Sequence, residues 1–160
     1  MTNAIPKLSD NEIHSAVKIA KESPRKRYHK ILHEKGAVFN AVFNFMDKDS
    51  YMQPHLHPGD EKIEEIHVME GILGMIFFED DGAVSEYKLL GKGYNSMISV
   101  PAFKYHTYVI LSDYVVTYET MKGVYEPNTW KKMASWAPEE GSLYSMSYFS
   151  GLKSYFQVKE

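Results

Sequence analysis

The sequence predicts an all-β fold, a sandwich or barrel, with one helix before it and a short helical, aromatic segment after it. Three observations carry this reading. From Gly36 onward the apolar residues fall into short runs: "AVFNAVFNFM", "EIHVMEGILGMIFFE", "SEYKLLG", "NSMISVP", "YHTYVILS" and "YVVTYETM". These runs are rich in Val, Ile, Tyr and Phe, which fit a pleated, half-buried surface. Turn signals separate them, among them "KDS", "HPGD", "DDG" and "GKG". No long run of helical period intervenes, so at least six strands follow one another at short intervals. A chain of 160 residues is expected to form a single domain over 1–160. Its parts would be a helix and arm over 1–35, a barrel over 36–125 and a covering segment over 126–160.

The first element is a helix in "LSDNEIHSAVKIAKES". Ser9 followed three residues later by Glu12 forms a capping box. Ile13, Ala16, Val17 and Ala20 then make one apolar stripe, with Ile19 off it, and Pro24 ends the unit. The basic stretch "RKRYHK" reads as a solvated arm or a local anion contact, and a surface arm is the expectation for Arg25 and Arg27. In the barrel region Asp80-Asp81-Gly82 reads as a hairpin turn. At the other end, Pro138-Glu139-Glu140 is suited to start a helix. Trp136, Tyr144, Tyr148, Phe149, Tyr155 and Phe156 are expected to cover a barrel face or a partner subunit, and a homodimer follows as an expectation.

Charge and composition exclude several classes. Net charge is −3 with no long single-sign block, which speaks against nucleic acid as a partner. The N-terminal stretch lacks an apolar signal core and no run reaches membrane-spanning length, so no membrane partner and a cytoplasmic location are expected. There is no cysteine, so any metal must be held by imidazole and carboxylate.

The stretch "YMQPHLHPGDEKIEEIHVMEG" concentrates such groups. Side chains alternate on a strand, so His55 and His57 point the same way and can reach one ion. If Glu64 faces inward, Ile66 and Val68 do too, and His67 faces away. The opposite parity would turn Glu65 and His67 inward and bury fewer apolar atoms, so the first is preferred. His106, opening a strand after Pro101 with Tyr108 and Ile110 as inward neighbours, can join the pair. Three imidazoles and one carboxylate suit iron, zinc, manganese, nickel or cobalt. Tyr51, Gln53, Tyr108 and Tyr118 are candidate pocket residues, and Glu119 is a weaker candidate acid or base. His29 and His33 read as surface or hydrogen-bonded residues.

"HLHPGDEKIEEIHVMEG" followed by "PAFKYH" resembles the two cupin motifs. The first motif is a pair of histidines one residue apart, a glutamate, and a glycine seven beyond it. His55, His57, Glu64 and Gly71 match. The second is Pro-x-Gly-x-x-His, whose ends match Pro101 and His106. Two departures stand out. Six residues separate His57 from Glu64, which leaves Glu61 and Glu65 open as alternatives, and Phe103 replaces the motif glycine. The wider pieces "SPRKRYHKILHE", "FFEDDGAVSEYKLLG" and "YEPNTWKKMASWAPEEG" resemble the WbuC family of cupin-fold metalloproteins. The resemblance implies a cupin double-stranded β-helix, or jelly-roll barrel, a divalent metal ion and a bacterial surface-polysaccharide setting of the O-antigen type. It implies no settled reaction. The expected ligand is a small molecule, a sugar or nucleotide sugar, with isomerase, epimerase or oxygenase chemistry open. A metal-free sugar-nucleotide epimerase or ketoisomerase and a non-catalytic ligand-binding module are the alternatives.

Overall fold

Ser9 starts the first helix as its spacing predicts. Its Oγ accepts from the Glu12 N–H at 3.2 Å, and Glu12 Oε2 accepts from the Ser9 N–H at 2.7 Å. The computed structural model describes residues 4–157. In chain order the elements are α1 (Asp10–Glu22), β1 (Arg27–Ile31), β2 (Phe39–Asp47), β3 (His55–Leu56), β4 (Glu64–Glu70) and β5 (Ile72–Phe78). There follow β6 (Val84–Gly91), β7 (Met97–Val100), β8 (His106–Ile110), β9 (Tyr114–Lys122), β10 (Lys132–Met133), α2 (Ser145–Lys153) and a 3-10 turn, Ser154–Phe156.

The strands make two antiparallel sheets of five, ordered β1-β2-β9-β4-β7 and β10-β3-β8-β5-β6. Their inner faces meet in one core. Met46, Ile66, Val68, Val100 and Val115 come from the first sheet, and Leu73, Met75, Phe77, Leu90, Tyr108 and Ile110 from the second. Helix α1 covers the outer face of the first sheet, where Ala16 and Ala20 pack on Phe43, Phe45 and Val116. The C-terminal segment covers the other outer face. There Ala134, Ala137, Phe149 and Leu152 pack on Leu56, Ile76, Phe78 and Val109. Both sheets are therefore apolar on two faces, and the stack is the jelly roll the sequence predicts.

Two local readings change. The basic segment read as an arm is strand β1, paired in register with β2 from Arg27↔Met46 to Ile31↔Val42. Arg27 is buried, and its Nη2 donates to Glu140 Oε1 at 2.5 Å while Arg25 Nε donates to Oε2 at 2.9 Å. That pairing also explains why no helix begins at Pro138. The Glu140 carboxylate is turned onto the two arginines instead of capping a helix, and α2 starts only at Ser145. The aromatic residues of this segment cover the second sheet. Phe149 packs against Tyr51 at 5.8 Å and Trp136 against Phe78 at 5.0 Å, whereas Tyr144 stays 70% exposed.

Candidate metal centre

The site is assembled from both sheets. In β3 the side chains alternate, so Leu56 packs outward in the covered face while His55 turns into the barrel. His55 pairs directly with His106 of β8, which in turn pairs with Phe77 of β5, a core residue. His57 follows β3 on the same side as His55. Glu64 opens β4 in the opposite sheet, with Ile66 and Val68 buried behind it. The three imidazole centroids lie 4.6 to 5.6 Å apart. One nitrogen from each of the three rings lies within 4.8 Å of the others. All three rings are buried.

Each ring is oriented by a backbone carbonyl. His55 Nδ1 meets Gln53 O at 3.0 Å, His57 Nδ1 meets Trp130 O at 2.9 Å, and His106 Nδ1 meets Lys104 O at 2.9 Å. A carbonyl only accepts, so each Nδ1 must carry the proton and donate it. In the neutral ring, Nε2 is then left with a lone pair. Yet Nε2 of His57 and of His106 face the same oxygen, Glu64 Oε2, at 3.2 and 3.1 Å. Lone pairs aimed at a carboxylate oxygen repel unless positive charge lies among them, as protons on the rings or as a metal ion. Backbone-held Nδ1–H groups with converging Nε2 atoms are the arrangement that metal-binding histidines adopt. The donor set, three imidazoles and a carboxylate, fits a divalent transition metal.

Behind Glu64 lies a second layer. The Tyr108 hydroxyl contacts Glu64 Oε1 at 3.2 Å and also meets Glu119 Oε1. A single hydroxyl donates one proton, so the two contacts are both satisfied when Glu119 is protonated and donates to Tyr108, which donates to Glu64. The electrostatics agree. Burial, with the Glu64 charge beside it, pushes the Glu119 carboxyl up to about 8. Burial also pushes Glu64 up, but when the two rings are protonated the hydrogen bonds from His106 and His57 outweigh it and hold that carboxyl well below the usual range. Burial and the neighbouring His106 and Lys131 charges drive His55 well below its usual value. His55 therefore stays neutral and keeps its lone pair.

Of the pocket candidates, Tyr108 and Glu119 lie against the centre. Tyr118 lies on the outer face of the first sheet, tilted against Phe43 at 5.3 Å and near His67 at 6.2 Å. Tyr51 packs under α2, and its hydroxyl donates to Pro138 O at 2.7 Å. Gln53 is buried and donates to Ala134 O at 3.1 Å, so its side chain anchors the C-terminal segment while its carbonyl orients His55. Glu61 and Glu65 are exposed. The long turn between His57 and Glu64 is accommodated by Lys62, which is buried, donates to Thr129 O at 3.0 Å and lies 5.0 Å from the Trp130 ring centroid. It thereby fixes the loop whose carbonyl orients His57. Trp130 escaped sequence reasoning because it contributes a backbone oxygen, which has no sequence signature. Phe103, in place of the motif glycine, adopts φ 61°, and its N–H donates to His57 O at 3.0 Å. The turn keeps its left-handed shape without glycine, and this bond ties it to the metal-side strand.

A jelly roll holding a buried imidazole–carboxylate cluster between its sheets is a cupin fold with a candidate metal centre. Residues 8–90 match the family described as "Domain of unknown function (DUF6016)", and the chain belongs to that family. No curated protein matches it in sequence. Solved structures match in shape. Protein SO0799 from Shewanella oneidensis aligns with a TM-score of 0.58 at 8% identity, over 73% of this chain and 80% of that one. CapF, solved with the inhibitor 3-isopropenyl-tropolone, aligns with a TM-score of 0.56 at 16% identity, over 66% of this chain and 31% of its own. The DMSP lyase DddQ from Ruegeria pomeroyi aligns with a TM-score of 0.54 at 14% identity, over 71% and 54%. At these identities the likeness is one of fold.

Proposed function

We propose that the protein is a cupin metalloprotein of the WbuC type. His55, His57, His106 and Glu64 hold one divalent transition metal, and the centre binds or transforms a small sugar-related molecule in surface-polysaccharide metabolism. The observation that carries the metal reading is the set of backbone-fixed Nδ1–H groups, which leaves the Nε2 lone pairs converging beside Glu64. The sugar setting rests on the sequence resemblance alone. A bound ion would supply Lewis acidity toward a ligand oxygen. The chain's own residues do the rest. The carbonyls of Gln53, Trp130 and Lys104 lock the rings, and Tyr108 holds Glu64 Oε1 while Glu119 supplies the proton behind it. The buried aromatic and aliphatic core between the sheets excludes water beside the cluster. We further read the protein as cytoplasmic and homodimeric.

Metal content of protein purified without added metal tests the central claim. The wild type should carry about one transition-metal ion per chain, and His57→Ala should lose most of it. A wild type that never holds a stoichiometric ion would sink the reading. Nucleotide sugars that change the visible spectrum of cobalt-loaded protein would support the ligand class, and silence from all of them would count against it.

A further inference from the structure

The inner space of the barrel is divided. Part of it is apolar core, and beside that core lies the imidazole–carboxylate cluster of His55, His57, His106 and Glu64. Lys131 immediately precedes β10, the edge strand of the second sheet. Strand β10 pairs antiparallel with β3, with Met133 opposite His55 and Lys132 opposite Leu56. Opposed residues share a face. Continued by one residue, this register sets Lys131 opposite His57, on the face that carries the histidines. Lys132, on the other face, is exposed, and Lys131 is half-buried.

Among the described residues Lys131 has no ion pair and its ammonium makes no hydrogen bond. The charges that act on it are Arg27, Arg25, Glu64 and Glu140. Both carboxylates are already taken. Glu64 Oε2 faces His57 and His106 and its Oε1 meets Tyr108. Glu140 is held on both oxygens by Arg25 and Arg27. Arg27 also projects from β1 on the inward face, because its register partner Met46 is a core residue. A half-buried ammonium is thus left beside two arginines and against the imidazole cluster, without a carboxylate of its own. Such an ammonium is free to form a charge-assisted hydrogen bond with an anionic ligand.

We propose that Lys131 binds the carboxylate of a small organic anion beside the metal centre. This assigns a ligand class to the site proposed above, and it rests on that reading for the ion but not for the anion contact. One unpaired ammonium matches one unit of negative charge, which favours a carboxylate over a phosphate dianion. Within the sugar setting, the ligand would be an acidic sugar or another small carboxylic acid.

The test is binding of ¹³C-acetate, read from NMR line broadening, to zinc-loaded and to metal-free protein, with inorganic phosphate as competitor. Lys131→Met should weaken acetate binding about tenfold, the scale of losing one charge-assisted hydrogen bond. Lys131→Arg should retain it, Lys132→Met should leave it unchanged, and phosphate should compete no better than unlabelled acetate. Acetate affinity within twofold of wild type in Lys131→Met, an equal loss in Lys132→Met, or preferred binding of phosphate would each overturn the proposal. Zinc stoichiometry is measured on the same samples. Failure to hold zinc defeats the metal reading, while the acetate comparison on metal-free protein still decides the role of Lys131.

Discussion

Glu119 takes up a proton when the chain folds, and that makes stability depend on pH. Its carboxyl titrates at an ordinary 4.5 when unfolded and at about 8 when buried beside Tyr108 and Glu64. Below the first value both states are protonated and nothing is lost. Between the two, only the unfolded state ionises, so stability falls as pH rises; above the second the loss is constant. At neutral pH the loss is on the order of 3 kcal/mol. Glu119→Gln removes the titration, and the glutamine amide donates to Tyr108 in place of the carboxylic acid. The stability difference between Glu119→Gln and the wild type, read from urea midpoints of metal-free protein, should therefore widen from about pH 5 to about pH 8, because groups common to both, such as His55, cancel. Parallel curves would show that Glu119 is ionised in the folded state. At this scale the sequence was informative where side chains carry the signal. The spacing of His55, His57 and Glu64 and the distant His106 were all legible as potential ligands. The carbonyls of Gln53, Trp130 and Lys104 were not, because a backbone oxygen is common to every residue.

Gly71 ends β4 and lets β5 begin at once, and its conformation links sequence motif to element. It has φ +86°, and a Cβ there would sit 2.3 Å from Tyr114 O and 2.6 Å from Ser112 Oγ. Gly36 also has positive φ, +83°, but a Cβ would meet nothing within 4 Å. Gly36→Ala should cost about 1 kcal/mol, the backbone term alone. Gly71→Ala adds a collision with backbone that cannot swing away, so it should cost about 3 kcal/mol or more. Equal denaturation midpoints for the two variants would refute the steric account. Strands β2, β4, β5, β6, β7, β8 and β9 were visible in the sequence through apolar runs and turn residues. Strands β1 and β10 were not, since one is basic and the other spans two residues, and both exist through pairing with distant partners. Parity also failed in β9. Helix α1 covers its outer face, so Val116 and Tyr118 outside are as apolar as Val115 inside, and alternation cannot say which tyrosine faces the site.

The whole molecule is closed by a contact between its two ends. Arg25, just before β1, and Arg27, within it, grip Glu140 of the C-terminal segment, more than a hundred residues away. The Arg27 side chain is 6% exposed and that of Glu140 is 22% exposed. Arg27 also donates to Tyr51 O at 3.3 Å and Ser50 Oγ at 3.4 Å, so the pair knits the N-terminal strand, the stretch before β3 and the cover of the second sheet. Removing one partner leaves a buried charge without a counter-ion, which is worse than removing both. Glu140→Gln should therefore destabilise the protein by about 2–3 kcal/mol, below the range for a fully buried pair because Glu140 is partly solvated. Arg27→Met combined with Glu140→Leu should recover more than half of that loss, since two apolar side chains fill the same space without stranding a charge. Guanidinium denaturation of the wild type, Arg27→Met, Glu140→Leu and the variant carrying both measures the coupling directly. A double variant no more stable than Glu140→Gln would mean that the pair itself, rather than the avoidance of an unpaired arginine, holds the two ends together.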